Sequence, residues 1–228
     1  MNVDRTVPVA LSARHVHLSK EHVEALFGPG YRLRPQAELS QPGQFAAMEC
    51  VEVVGPRRSI PGVRVLGPPR GTTQVELSIS DGVLLGIALP NRLSGNLDGT
   101  PGVHLMGPRG AVKLRHGAIA AARHLHATPA DAERLGLRDG QKVYARLLGA
   151  RGIIFDEVVV RVADAALLEL HLDTDEGNAA GVKTGDRAEI VASLCRESCA
   201  LEGCPIAPSV VDGVGRPFCD FTRNRSFR

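Results

Sequence analysis

The stretches "SARHVHLS" (residues 12–19) and "AARHLHAT" (residues 121–128) are two copies of one pattern. Each places two histidines one residue apart, directly after an arginine and before a helix start. The likeness extends further when the copies are aligned: Ala13 with Ala122, Arg14 with Arg123, His15 with His124, His17 with His126, Ser19 with Thr128, Glu24 with Glu133 and Leu26 with Leu135. An internal duplication, carried by two similar small β-domains, is the economical explanation.

Short apolar runs, rich in Val and ended by Gly or Pro, fill most of the remaining chain. They are too short for helices and predict many short strands joined by tight turns, as in barrels or sandwiches. The predicted strands lie at 51–55, 63–67, 74–80, 82–90, 102–107, 142–149, 155–162 and 187–192. Helix signals are few: Ser19 can cap residues 20–28, and Thr128 followed by Pro129 can cap residues 129–136. We therefore predict a mainly β protein of two tandem small β-barrels, related by duplication and capped by short helices.

Composition excludes several classes of function. The 228 residues carry a net charge of +2 and contain no Trp, so neither a duplex-binding surface nor an aromatic platform for nucleic acid is expected. No apolar run approaches the roughly 18 residues that a membrane span needs, and the first residues do not resemble a signal peptide. We expect a cytoplasmic protein without a membrane or nucleic-acid partner, in which the five cysteines are thiols or metal ligands.

The paired histidines predict a metal site. Residues i and i+2 of a strand face the same side, so each pair projects two imidazoles together, which suits zinc. A single pair could equally be two half-buried polar residues at a strand end, but two pairs in a duplicated frame favour ligation. His171, in the strand-like run "LLELHLDTDEG" (167–177), is a third candidate, although alone it could be an ordinary core or surface histidine.

Arg70 and Glu76 flank a turn in the stretch "GPPRGTTQVELSISD" (67–81). A carboxylate can complete a His-rich zinc shell, and an arginine fork suits phosphate, whereas an exposed arginine and a plain strand glutamate are the alternative. Arg14 and Arg123 could contact the phosphates of a substrate or pair with carboxylates such as Asp173 and Asp175. The residues alone leave these alternatives open.

Six motifs, in order and at matching spacing, together resemble the PduL-type phosphate acyltransferases (phosphotransacylases) from about residue 7 to residue 192. They are "SARHVHLS", "QPGQFAA", "VRVLGPPRGTTQVELS", "SGNLDGTPGVHLMGPRG", "AARHLHATPADAERLGL" and "HLDTDEGNAAG". The resemblance implies an enzyme that interconverts a short-chain acyl-CoA (propanoyl-CoA or acetyl-CoA) plus phosphate with an acyl phosphate plus CoA, using two zinc ions per chain.

The resemblance also implies a role for each candidate. His15 and His17 are expected to hold one zinc ion, and Arg70 to contact phosphate. The other zinc ion is expected to be held by His124, His126 and His171, with Glu76 completing its ligand shell. No serine or cysteine lies in a nucleophile motif beside a base, so no covalent acyl-enzyme is expected. Cys50 is expected to be a buried strand residue.

Domain boundaries follow from the same resemblance. Residues 14–121 are expected to form one barrel, with an irregular connection at 28–48, and residues 4–13 plus 122–192 the other. Relatives lead us to expect a homo-oligomer. No microcompartment-targeting extension is apparent before the first strand. Residues 193–228 read as a tail with free thiols at Cys195, Cys199, Cys204 and Cys219, whose spacing matches no standard metal motif.

Two other functions use the same residues. A dizinc hydrolase of thioesters or phosphoesters would activate water in place of phosphate, and would release CoA without any phosphate. A zinc-stabilised scaffold without activity would unfold on metal removal and transfer no acyl group. The acyl chain length cannot be read from the sequence, because one methylene changes the binding free energy by only about 1–3 kcal/mol.

Overall fold

Strands dominate the structure, a computed structural model that describes residues 4–191. The cysteine-containing tail predicted at 193–228 lies outside the described residues. Six strands close into a barrel in the spatial order β1 (Thr6–Ser12), β14 (Glu169–Asp173), β11 (His124–Ala127), β13 (Ile153–Val162), β12 (Lys142–Leu147) and β15 (Arg187–Val191).

The second sheet has nine strands and curls into a half-barrel. Its order is β7 (Asn91–Arg92), β10 (Ala118–Ala121), β6 (Gln74–Leu77), β2 (His15–Ser19), β5 (Ser59–Arg70), β4 (Phe45–Val54), β8 (His104–Met106) and β9 (Ala111–Lys113), with β3 (Pro35–Glu38) added on β4. The predicted fold class, mainly β with two barrel-like units and short helices, is confirmed. The half-barrel stays open between β7 and β9, two strands of only two and three residues.

Four short helices occur between residues 4 and 191, and each begins directly after a strand that carries candidate ligands. They are α1 (Lys20–Phe27), α2 (Ile79–Leu85), α3 (Pro129–Leu135) and α4 (Thr174–Ala180). Each has an N-cap side chain that accepts a hydrogen bond from a backbone N–H of the first turn, from Ser19, Ser78, Thr128 and Asp173 respectively. The predicted helices α1 and α3 are confirmed. The caps fix where each ligand-bearing strand ends.

The predicted strand at 82–90 is wrong, because its first residues belong to helix α2. Ser78 and Asp81 form a reciprocal capping box, and Gly86 ends the helix in the left-handed conformation with φ 80°. The signal was present as Ser-x-x-Asp before an apolar run, but seven helical residues are too few for periodicity to distinguish them from a buried strand.

The two copies of the duplicated unit exchange their first strands. β1 belongs to the closed barrel while β2 belongs to the half-barrel, and β10 belongs to the half-barrel while β11 belongs to the closed barrel. The pairings are equivalent: β1 runs parallel to β14, as β10 does to β6. The chain therefore passes between the sheets immediately before each histidine pair, which brings both pairs to the junction of the two sheets.

Each sheet encloses its own apolar core. One core is centred on residues such as Val16, Val65 and Leu105, and the other on residues such as Leu125, Val160 and Leu170. Burial of these side chains is the main source of stability, at about 25 cal/mol for each Å² of apolar surface removed from water. None of the helices between residues 4 and 191 has the length and hydropathy needed to cross a membrane.

Candidate metal centre

His15, His17 and Glu76 form the first group of candidate ligands, and all three side chains are buried. Strand β2 lies antiparallel to β6 with His15 opposite Glu76. The Nε2 atoms of the two histidines are 3.2 Å apart. The Glu76 carboxylate oxygens lie 3.4 Å from Nε2 of His15 and 3.6 Å from Nε2 of His17. These atoms converge closely enough to hold one metal ion.

Glu76 converges with His15 and His17, and the expectation that it completes the shell of the other group stays a prediction. Its strand, β6, pairs with β2 and β10, whereas β11 pairs with β13 and β14. Glu76 thus occupies, in the half-barrel, the place that His171 occupies in the closed barrel. Each group has two histidines from one strand and a third ligand from the antiparallel neighbour.

His124, His126 and His171 form the second group. Strand β11 lies antiparallel to β14 with His124 opposite His171. The Nε2 atoms of His124 and His126 are 3.1 Å apart, and the ring centroid of His171 lies 5.1 Å from that of His124 and 4.8 Å from that of His126. Within residues 4–191, these two groups are the sets of histidine, cysteine and carboxylate side chains that converge in this way.

Backbone carbonyls orient the first histidine of each pair. His15 Nδ1 lies 2.8 Å from the carbonyl oxygen of Ala13, and His124 Nδ1 lies 2.8 Å from that of Ala122. An Nδ1–H that donates to a carbonyl leaves Nε2 as the free lone pair, which is how protein histidines are prepared for a metal. The equivalent geometry arises because the same Ala-Arg-His sequence leads into both strands.

Burial keeps most of these imidazoles neutral. It lowers the pKa of His17 to about 3 and that of His126 to about 3, helped by the neighbouring histidines, and it lowers the pKa of His124 to about 4. Neutral imidazole is the form that binds a metal ion. Buried, convergent nitrogen and carboxylate donors of this kind fit Zn²⁺, which accepts three or four such ligands.

Both groups line one cavity of about 660 Å³ at the junction of the two sheets. The structure thus brings together all six side chains that the sequence singled out as ligands. Arg70, singled out for phosphate, lines the same cavity, at the end of β5. Its Nη1 donates to Ser94 Oγ at 3.1 Å.

Arg161 is a residue that the sequence analysis missed. It lies on β13 directly opposite His126 and lines the cavity, so its guanidinium adds positive charge next to the second group. The available signal was one arginine within the apolar run "VVVRV" (158–162). A charged residue in such a run marks either an outward-facing position or a functional cavity, and only the position of the neighbouring strand distinguishes the two.

Arg14 and Arg123 pair with carboxylates, although not with the two named above. Arg14 Nη2 lies 2.8 Å from Asp81, and Arg123 Nη1 lies 3.3 Å from Glu176. Asp81 and Glu176 are the capping-box residues of α2 and α4. Each arginine therefore ties the start of a histidine strand to the helix that follows the third ligand.

Glu176 is expected to make stability depend on pH. Burial and the nearby Asp173 carboxylate raise the pKa of Glu176 from 4.5 to about 7, against the opposite effect of Arg123. The folded state therefore binds this proton more tightly than the unfolded state, and the stabilisation present below pH 4.5 is lost as the pH rises towards 7. We expect the free energy of unfolding of the wild type to decrease by on the order of 1–3 kcal/mol between pH 5 and pH 8 because Glu176 ionises. The Glu176→Gln variant should lack this decrease.

Urea unfolding of the wild type and of Glu176→Gln at several pH values measures this difference. Glu189→Gln is the matched control, because Glu189 lies on the exterior of the same barrel in a surface pair with Arg146. A wild-type-minus-variant difference that stays constant from pH 5 to pH 8 contradicts the prediction.

The chain is similar to known proteins over most of its length. The sequence model of the family described as phosphate propanoyltransferase matches residues 8–183. A phosphate propanoyltransferase of Thermotoga maritima is 51% identical over 184 residues, which cover 80% of this chain and 88% of the relative. Proteins of the same name from Rhodopseudomonas palustris and Listeria monocytogenes are 47% and 48% identical, covering 84% and 81% of this chain and 83% and 87% of the relatives.

Proposed function

This chain belongs to the phosphate propanoyltransferase family, and from that premise we propose that it interconverts propanoyl-CoA plus phosphate with propanoyl phosphate plus CoA. The observation that carries the proposal is the single cavity lined by two convergent ligand groups and by Arg70. In the reaction a phosphate oxygen attacks the thioester carbonyl, a C–O bond forms, the C–S bond breaks, and CoA leaves as a thiolate. Acetyl-CoA is the other short-chain substrate to test.

We assign two zinc ions to the chain, one held by His15, His17 and Glu76 and the other by His124, His126 and His171. The convergence of imidazole nitrogens with a carboxylate supports this assignment, since these are donors that zinc prefers, and burial keeps His17, His124 and His126 neutral. When bound, zinc supplies Lewis acidity together with affinity for phosphate oxygens and for a thiolate sulfur. Co²⁺ and Ni²⁺ accept the same nitrogen donors and are the metals to compare.

Arg70 binds phosphate in this proposal. Its planar guanidinium matches two phosphate oxygens at once, and its half-buried position in the cavity strengthens that attraction compared with water. Arg161 adds a second positive charge facing the same space, which favours the approach of a dianion. Holding phosphate still beside the thioester supplies much of the expected rate gain, because proximity converts a bimolecular step into a unimolecular one.

Direct transfer without an acyl-enzyme is part of the proposal. Cys50 is the one cysteine between residues 4 and 191; it lies half-buried on β4 and is not among the residues that line the cavity. The thioester would then meet phosphate directly, and alkylation of Cys50 would leave transfer unchanged.

We also propose that residues 14–121 form one folding unit and that residues 4–13 with 122–192 form the other. The separate apolar core of each unit supports this division.

Self-association of the chain is a separate part of the proposal. Ile79, Val83 and Leu84 of α2 are exposed apolar side chains on one short helix, whereas α4 carries Thr174 and Asn178 at the positions equivalent to Ile79 and Val83. A second copy of the chain is the occupant we propose for this patch.

Thiol release from propanoyl-CoA, measured with and without phosphate, tests the activity. We expect CoA to appear only when phosphate is present, together with an equal amount of propanoyl phosphate trapped as a hydroxamate. CoA release that does not need phosphate would identify a hydrolase and overturn the proposal. Parallel assays with acetyl-CoA and longer acyl-CoAs measure the chain-length preference.

A further inference from the structure

The loop between β3 and β4 crosses from the half-barrel to the closed barrel and forms one wall of the cavity. Gln41, at its centre, is buried. Its side-chain amide makes two hydrogen bonds to one backbone unit of the other sheet: Nε2 donates to the carbonyl oxygen of Leu167 at 3.1 Å, and Oε1 accepts from the N–H of Leu167 at 3.2 Å. The loop is therefore attached to the segment that leads into β14.

The same loop reaches a buried carboxylate beside the second ligand group. Glu169 is 7% exposed. It accepts a hydrogen bond from Ser40 Oγ at 2.6 Å, and its Oε2 lies 2.9 Å from Nε2 of His171. Gln41 Nε2 lies 3.4 Å from the same carboxylate. A buried carboxylate that faces an imidazole and two polar side chains is held in one orientation.

The duplicated unit shows that this position has an equivalent in the first group. Gln74 stands opposite His17 as Glu169 stands opposite His126, and each lies two residues before the third ligand of its group. The roles of hydrogen-bond donor and acceptor are exchanged between the two groups. Where the third ligand is the carboxylate Glu76, its neighbour Gln74 donates an N–H to it; where the third ligand is an imidazole, its neighbour is a carboxylate that accepts.

From this complementarity we infer that Glu169, held across the cleft by Ser40 and Gln41, is a positioning residue that sets the metal affinity of the second group through His171. The inference rests on the metal assignment of the proposed function. A carboxylate that accepts the second ring N–H of a metal-bound histidine fixes its ring and tautomer and makes it a better donor. His15 and His124 obtain equivalent support at Nδ1 from backbone carbonyls. His171 obtains it at Nε2 from a side chain held by a loop of the other sheet, which leaves Nδ1 of His171 as its free lone pair.

Zinc affinity, measured by competition with a chromogenic chelator, tests the inference without reference to catalysis. In a His17→Ala background, which disables the first group, we expect Glu169→Gln to weaken zinc binding by about 10–100-fold. In a His126→Ala background, which disables the second group, the same substitution should leave zinc binding unchanged. Glu189→Gln, on the outside of the same barrel, removes an equal charge and should change neither affinity.

Two loop variants test the link across the cleft and do not depend on the folding of Glu169→Gln. Ser40 is exposed, and its replacement by alanine removes one hydrogen bond to Glu169. We therefore expect Ser40→Ala to weaken zinc binding at the second group by about 2–10-fold. Gln41→Ala, which also releases Leu167, should weaken it further.

Four results would overturn the inference. The first two are an unchanged zinc affinity of the second group in Glu169→Gln and an equal weakening of zinc binding at both groups. The others are an unchanged zinc affinity in Ser40→Ala, should Glu169→Gln not fold, and the absence of zinc binding by the wild-type second group. Failure of acyl transfer alone would refute the proposed function and leave this inference standing, because the two measurements are independent.

Discussion

Removal of bound metal with a chelator is expected to lower acyl transfer at least about a thousand-fold, and added Zn²⁺ is expected to restore it. The reaction brings an anionic nucleophile to a thioester and expels a thiolate, so negative charge accumulates in a cavity where burial keeps His17, His124 and His126 neutral. Without a cation, the positive charge in the cavity comes from the arginines that line it, which are Arg14, Arg64, Arg70 and Arg161. They cannot also receive the departing sulfur. Activity assays on chelated and reconstituted protein, with elemental analysis, measure the effect.

The ligand variants His15→Ala and His124→Ala should reproduce this loss individually. His104→Ala is the matched control, because His104 is exposed on β8 and does not line the cavity. Activity that resists chelation but disappears when Cys50 is alkylated would show that a thiol, and not a metal centre, carries the reaction.

Arg70→Gln is expected to lower kcat/KM for phosphate by about 100-fold, since loss of one preorganised donor to developing charge typically costs two to three decades in rate. The substitution keeps a hydrogen-bonding side chain of similar shape while removing the charge and the planar fork. Arg70→Lys should recover part of the loss, because it restores a point charge without the two parallel N–H donors. Initial rates against phosphate at saturating propanoyl-CoA measure the effect.

The control for this variant is Arg146→Gln, which removes an equal charge from a surface pair with Glu189. We expect its kcat/KM to match the wild type. An Arg70→Gln enzyme with wild-type kcat/KM for phosphate would remove Arg70 from the phosphate site and leave Arg161 as the candidate.

The candidate ligands could be found from the sequence because their signal is local. An alternating histidine pair faces one side of a strand whatever the strand packs against, and the duplication repeats the signal. The capped helices α1 and α3 were equally local, since Ser19 and Thr128 act within one turn. Helix α2 has the same kind of cap, but its sequence predicts a strand, because a seven-residue apolar segment has no decisive period.

The grouping of the ligands could not be predicted from local pattern, because it depends on which strands become neighbours. Glu76 joins His15 and His17 since β6 pairs with β2, a contact between segments about sixty residues apart in the chain. Arg161 and Glu169 carry no motif of their own. Their positions in the cavity follow from the register of β13 and β14 against β11.

By itself, the sequence determined the β-rich class, the duplicated histidine strands and the residue types available for metal and phosphate. These follow from side-chain chemistry and from backbone preferences that act over a few residues. Only the tertiary structure decided that one sheet closes while the other stays open, that the units exchange their first strands, and that Ser40 and Gln41 reach Glu169. Those outcomes depend on pairing and packing between segments that are distant in the chain. The free energy of such pairing is distributed over many residues, so no single residue in the sequence indicates it.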